Sequence, residues 1–176
     1  DLVDECNDIT MQCFMHIVLG GYFPVPSYDA WWPGQDHGPQ YRYLYRVLQL
    51  IGADDTRPWL LKDPALITRL PQLIETFPDA RLIYTHRDPL DSLPSFCSLV
   101  RVAQAAVLGD RVDSHRIGAR SLEFWSQGAN QLADAAIVAK PHIDFYMKAF
   151  QADPMRVVRE IYERFDLALS VEAEAG

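Results

Sequence analysis

Lys62, Arg87, Ser92 and Ser95 are the side chains whose types and positions could hold and transfer an oxyanion. The run Trp59-Leu-Leu-Lys62 is too short for a helix and reads as a buried parallel strand ending in a cation. Arg81-Leu-Ile-Tyr-Thr reads as a second strand, and His86-Arg87 closes it just before Asp88-Pro89 opens a helix. In an open parallel sheet, ligands sit at the C-terminal ends of the strands. A helix beginning there presents unpartnered N–H groups and partial positive charge. Arg87 can grip phosphate oxygens bidentately, while Ser92 and Ser95 can donate from the first turns of the helix. The compact ammonium of Lys62 suits a transferring group or a leaving oxygen. The same residues allow a plainer arrangement: Arg87 bridged to Asp88 or Asp91, the serines as caps, and Lys62 a solvated strand end beside Asp63.

The surrounding pattern supplies the scaffold. Apolar residues from Leu2 to Val18 recur at helical spacing, predicting a helix over residues 2–19 that Gly20-Gly21 stops. Residues 23–39 form a loop of prolines and aromatics that either walls a substrate pocket or plugs a gap in the core. A helix follows over 40–51, with Tyr41, Leu44, Tyr45, Leu48 and Ile51 on its apolar stripe. Further helices are predicted over 65–77, 89–107, 114–138 and 154–165, with a short strand over 143–146. The alternation indicates an α/β fold, a parallel sheet flanked by a majority of helices, in a single partial domain over residues 1–176.

Bulk composition narrows the function. The 176 residues carry a formal charge of −8, which argues against a nucleic-acid binder or a partner of anionic membranes. Any anion site is therefore a local focus of positive charge on a negative body. Cys6, Cys13 and Cys97 show no disulfide or metal-ligand spacing and read as reduced core thiols, which favours a cytoplasmic setting. No apolar run is read as long enough to span a bilayer, and no residue pattern points to a metal.

Taken together, Lys62-Asp-Pro, Phe77-Pro-Asp-Ala and His86-Arg-Asp-Pro resemble the core of the sulfotransferase superfamily. The similarity is to a bacterial branch and to tyrosylprotein sulfotransferases. The resemblance implies a P-loop-nucleotide-hydrolase-like fold that uses 3′-phosphoadenosine 5′-phosphosulfate (PAPS) to sulfate a hydroxyl or amine acceptor. It implies that Arg87, with Ser95 eight positions later, holds the 3′-phosphate of PAPS or of its product, 3′-phosphoadenosine 5′-phosphate (PAP). It assigns Lys62 to the transferred sulfuryl group and the bridging oxygen. The stretch from His142 to Tyr146, and Asp153-Pro154 with its helix, also resemble the family's late elements, as does the helix around Tyr43. The family's first strand and phosphate loop have no counterpart here, because Gly20-Gly21 follows a helix and lacks downstream hydroxyls. Leu66 stands where many bacterial members have histidine. The expectation is a chain truncated at both ends.

A sulfuryl acceptor must give up a proton, usually to histidine or a carboxylate. His37, beside Asp36 in the aromatic loop, is one candidate base, and Glu5 and Asp8 are others. His16 and His115 read as surface or core residues, His142 as structural, and His86 as a residue that could orient the phosphate turn. Two other functions fit the chain: a non-catalytic sulfotransferase-like binding module, and a nucleotide-kinase-like phosphotransferase. No Gly-x4-Gly-Lys-Ser/Thr element supports the latter.

Overall fold

A computed structural model describes residues 5–55, 57–132 and 140–175. Among these, the sheet consists of two parallel strands, β1 (Leu82–His86) and β2 (His142–Tyr146), in register from Leu82 opposite His142 to His86 opposite Tyr146. Parallel strands need a long crossover. Here the chain between them includes the helices α6 (Pro89–Leu108) and α7 (Ser114–Gln131). The helices α1 to α5 precede β1: Asn7–Met11, Ile17–Tyr22, Pro26–Trp31, Gly38–Ile51 and Leu70–Thr76. After β2 come α8 (Met147–Ala152), α9 (Pro154–Arg164) and α10 (Val171–Ala175).

The helix starts follow their sequence signals. Asp88 caps α6 by accepting from the Leu90 amide at 2.9 Å, with Pro89 in the first turn where no donor is needed. Asp113 caps α7 and Asp153 caps α9 in the same way, each from the amide three residues on, at 3.0 Å. Along α7, Ile117, Ser121, Phe124 and Gly128 form the buried stripe. A Cβ on Gly128 would lie 3.0 Å from Ile67 Cγ2, so glycine lets α7 close on the tight turn Pro64–Arg69. Gln131 locks that approach, donating to Thr68 O at 2.6 Å and accepting from Leu70 N at 3.3 Å. The main cluster of the core joins Tyr41, Leu44 and Leu48 of α4 to Cys6, Leu70 and Leu73.

Several expectations give way. The helix predicted over 2–19 is broken between Gln12 and His16, where Phe14 takes a left-handed φ of 55° and His16 caps α2. Its residues 2–4 lie outside the described residues, as do residues 133–138 of the helix predicted over 114–138. Gly20-Gly21 does not stop a helix but lies inside α2. At Gly20 the absent side chain leaves room for the Arg120 guanidinium, which donates to Gly20 O. Pro71 divides the helix predicted over 65–77, because its ring opposes the carbonyl four residues back. The aromatic loop holds α3, and Trp32 is buried as a plug while Trp31 stays 46% exposed. On α4, Tyr45 and Ile51 turn away from the buried line.

The strand predicted over 59–61 runs without ladder bonds. Leu60 is 82% exposed, Leu61 rests on the core cluster, and Trp59 lies over Gly52. The bond that holds the segment is made one residue later, from Cys6 N to Lys62 O at 2.9 Å. An apolar run can adopt extended backbone without pairing when its partner is another loop. Against the sequence reading, the stretch Pro89–Arg111 is 23 residues long and apolar enough, by length and composition alone, to cross a membrane. In this fold it packs on α7 and α2.

Leu44 is fully buried, and Leu44→Ala should cost about 2–5 kcal/mol of unfolding free energy. Leu60→Ala, on the unpaired segment, should stay within about 0.5 kcal/mol in the same urea titration.

Candidate active site

The turn after β1 and the first turns of α6 carry the anion-binding candidates. Arg87 leaves the C-terminal end of β1 exposed and makes no hydrogen bond or ion pair among the described residues. The bridge to Asp88 or Asp91 is absent, since the Asp88 carboxylate is committed to Leu90 N. Ser92 is turned inward to its own helix, donating to Asp88 O at 3.0 Å. Ser95 is exposed, with its hydroxyl unbonded among the described residues. Ser92 and Ser95, three apart, share a helix face, and Ser95 lies roughly 9 Å along the axis from Pro89.

His86 anchors this turn. Its Nε2 is 2.6 Å from Asp144 Oδ1, across the ladder on β2, and the other oxygen of Asp144 is 3.6 Å from His142 Nε2. The residue before Arg87 is thereby tied to the second strand, as well as by its own ladder bonds.

Lys62 sits apart from that cluster. Its expected partner was Asp63, but its ammonium pairs with Glu5, which also accepts from Asn7 Nδ2 at 2.8 Å. Asp63 turns the other way and is buried. One of its oxygens accepts from the Ala65 amide at 2.8 Å and the other lies 2.7 Å from His16 Nε2. His16 Nδ1 accepts from Val18 N at 3.2 Å, so the ring proton resides on Nε2 and is donated to Asp63. This buried pair is the feature that sequence reading missed. Its members lie 47 residues apart, and His16 was taken for a residue on a continuous helix.

His37 is not available as a base. It is 1% exposed, lies between Gln40 and Trp32 O, and packs edge-on against the Trp32 ring at 4.5 Å. Burial, reinforced by nearby Arg69, pulls its pKa below the ordinary histidine value. Asp8 is exposed on α1, His115 is exposed on α7, and Leu66 packs against the core. Of the candidate bases, Glu5 alone lines the main cavity, a space of about 300 Å³ between α2, α6 and α7. Asp63 also lines it, whereas Lys62, Arg87 and Ser95 do not. Gly20-Gly21 forms no phosphate cradle: the two carbonyls accept from Arg120 and Gln104, inside a helix.

A sulfotransferase family model matches residues 1–171. The chain belongs to the sulfotransferase family. No curated protein matches the chain. The fold is similar to the crystal structure of sulfotransferase STF9 from Mycobacterium avium, with a TM-score of 0.90 and 30% identity over 98% of this chain. It is also similar to sulfotransferase STF1 from Mycobacterium tuberculosis, with a TM-score of 0.88, 32% identity and the same coverage. The helix-rich α/β sulfotransferase fold read from the sequence is therefore the fold observed, and sulfuryl transfer is the family's chemistry. This chain spans 45% and 48% of the lengths of those two sulfotransferases.

His16→Ala strands a buried carboxylate and should lower unfolding free energy by roughly 1.5–3 kcal/mol, whereas the exposed His115→Ala should change it by about 0.5 or less. His37 has a depressed native pKa, so the unfolded chain takes up its proton first. The stabilisation is present above about pH 6.5 and is lost as the pH falls. His37→Gln should therefore flatten the decline of urea stability between about pH 6.5 and pH 5.

Proposed function

We propose that this sulfotransferase chain provides the 3′-phosphate grip of a PAPS site and the lysine that acts on the transferred group. The observation that carries this reading is the pair Arg87 and Ser95, both exposed and unpartnered among the described residues, Arg87 in the turn between β1 and α6 and Ser95 in the second turn of that 20-residue helix. A guanidinium and a hydroxyl left free beside a helix start fit a phosphate dianion, even on a chain of net charge −8. PAPS bound there supplies the sulfuryl group that a hydroxyl or amine acceptor takes.

Arg87 and Ser95 bind and orient the 3′-phosphate. The Lys62 ammonium neutralises charge at the sulfuryl group and its bridging oxygen. We assign the acceptor's proton to Glu5, a reading supported by its ion pair with Lys62 and its place in the cavity lining. A second reading has its own support: the chain spans less than half the length of the solved sulfotransferases it matches, and Gly20-Gly21 forms no phosphate loop. On that reading the chain binds nucleotide without transferring.

Calorimetry with PAP should show Arg87→Ala weakened by about 1.5–3 kcal/mol, the worth of a charge-assisted hydrogen bond. Equal affinities in wild type and variant would remove the assignment. With PAPS carrying labelled sulfur, Lys62→Met should slow transfer roughly a hundredfold. Binding of PAP with no transfer by the wild-type chain would favour the binding module.

A further inference from the structure

From the main cavity we infer an acceptor class: a neutral, largely apolar alcohol with a ring system. The inference rests on the transfer reading above and adds the substrate to it. The cavity, about 300 Å³, lies at the lower end of the sizes that enclose a drug-like molecule. Its walls are apolar side chains from three helices, among them Val18 on α2, Leu99 and Val100 on α6, and Phe124 and Trp125 on α7. Trp125 meets Phe96 edge-on at 5.3 Å and Phe124 at 5.1 Å, a corner of perpendicular rings against which a flat ring can lie.

The charged groups of that lining are already engaged. Its three carboxylates are Glu5, paired with Lys62, Asp63, which accepts from Ala65 N and His16, and Asp113, which accepts from Arg116 N. Of the three lining arginines, Arg116 and Arg120 are committed to Asp29 at 3.2 and 2.8 Å, and Arg111 donates to Leu108 O at 3.4 Å. Three carboxylates stand against three arginines, so the lining has no net charge with which to hold an anion. Ser121 adds one hydroxyl to this lining.

Titration of the whole chain with 2-naphthol, followed by tryptophan fluorescence and calorimetry without donor, tests the cavity directly. Glucose serves as the polar comparison. Leu99→Trp and Val100→Phe each fill the space. Leu99 is 57% exposed, so the larger side chain at that position is accommodated without repacking the core. Wild type should bind 2-naphthol at least ten times more tightly than glucose, and Leu99→Trp should weaken 2-naphthol about tenfold, with Val100→Phe acting in the same direction. Affinity for 2-naphthol no better than for glucose, or unchanged in Leu99→Trp, would overturn the inference. The PAP titration of Arg87→Ala reports separately on the donor reading, so loss of one can be told from loss of the other.

Discussion

A buried carboxylate with both oxygens committed fixes the turn that carries Lys62. Asp63 accepts from the Ala65 backbone on one side and from His16 on the other, and His16 in turn caps α2. One small network thus sets the direction of the lysine, the start of α2 and part of the cavity lining. A related arrangement stands beside the second cation, where His86 is held by Asp144. In both places the carboxylate next to the cation in sequence is occupied elsewhere: Asp63 by His16 and Ala65, Asp88 by the Leu90 amide. Arg87 is left uncompensated by its neighbour, which is the condition for attracting an anion from solution.

The charge balance makes that local release necessary. A chain of net charge −8 repels polyanions at long range, so recognition must come within the screening length, from oriented donors. A guanidinium and a hydroxyl beside the start of a long helix act at that distance. The cavity differs in kind, with apolar walls and two of its arginines already paired with Asp29. Under the proposed function, the turn before α6 would take the charged donor and the apolar chamber the uncharged acceptor.

Much of this was legible in the sequence where the signal is local. β1 and α6 followed from a short apolar run, a basic turn and Pro89 in the first helical turn. Arg87 and Ser95 could be singled out for the same reason, since their relation depends on one strand end and one helix. Signals that depend on tertiary pairing were misread. The apolar Trp59–Leu61 has the composition of a strand, yet composition does not supply a partner, and the segment stays extended and unpaired. The heptad-like pattern before Gly20 hid a left-handed break at Phe14, because apolar spacing is preserved across it. Asp63 beside Lys62 looked like its partner, but proximity in sequence places alternate side chains on opposite sides of an extended chain. The cavity could not be read at all, being assembled from residues more than a hundred positions apart.

The bond between His86 and Asp144 joins positions 58 residues apart and lies immediately upstream of the exposed Arg87. The late strand therefore serves as more than structural backing for the first. It is a splint for the turn that carries Arg87, so that under the proposed function Asp144 would shape the donor site from the neighbouring strand.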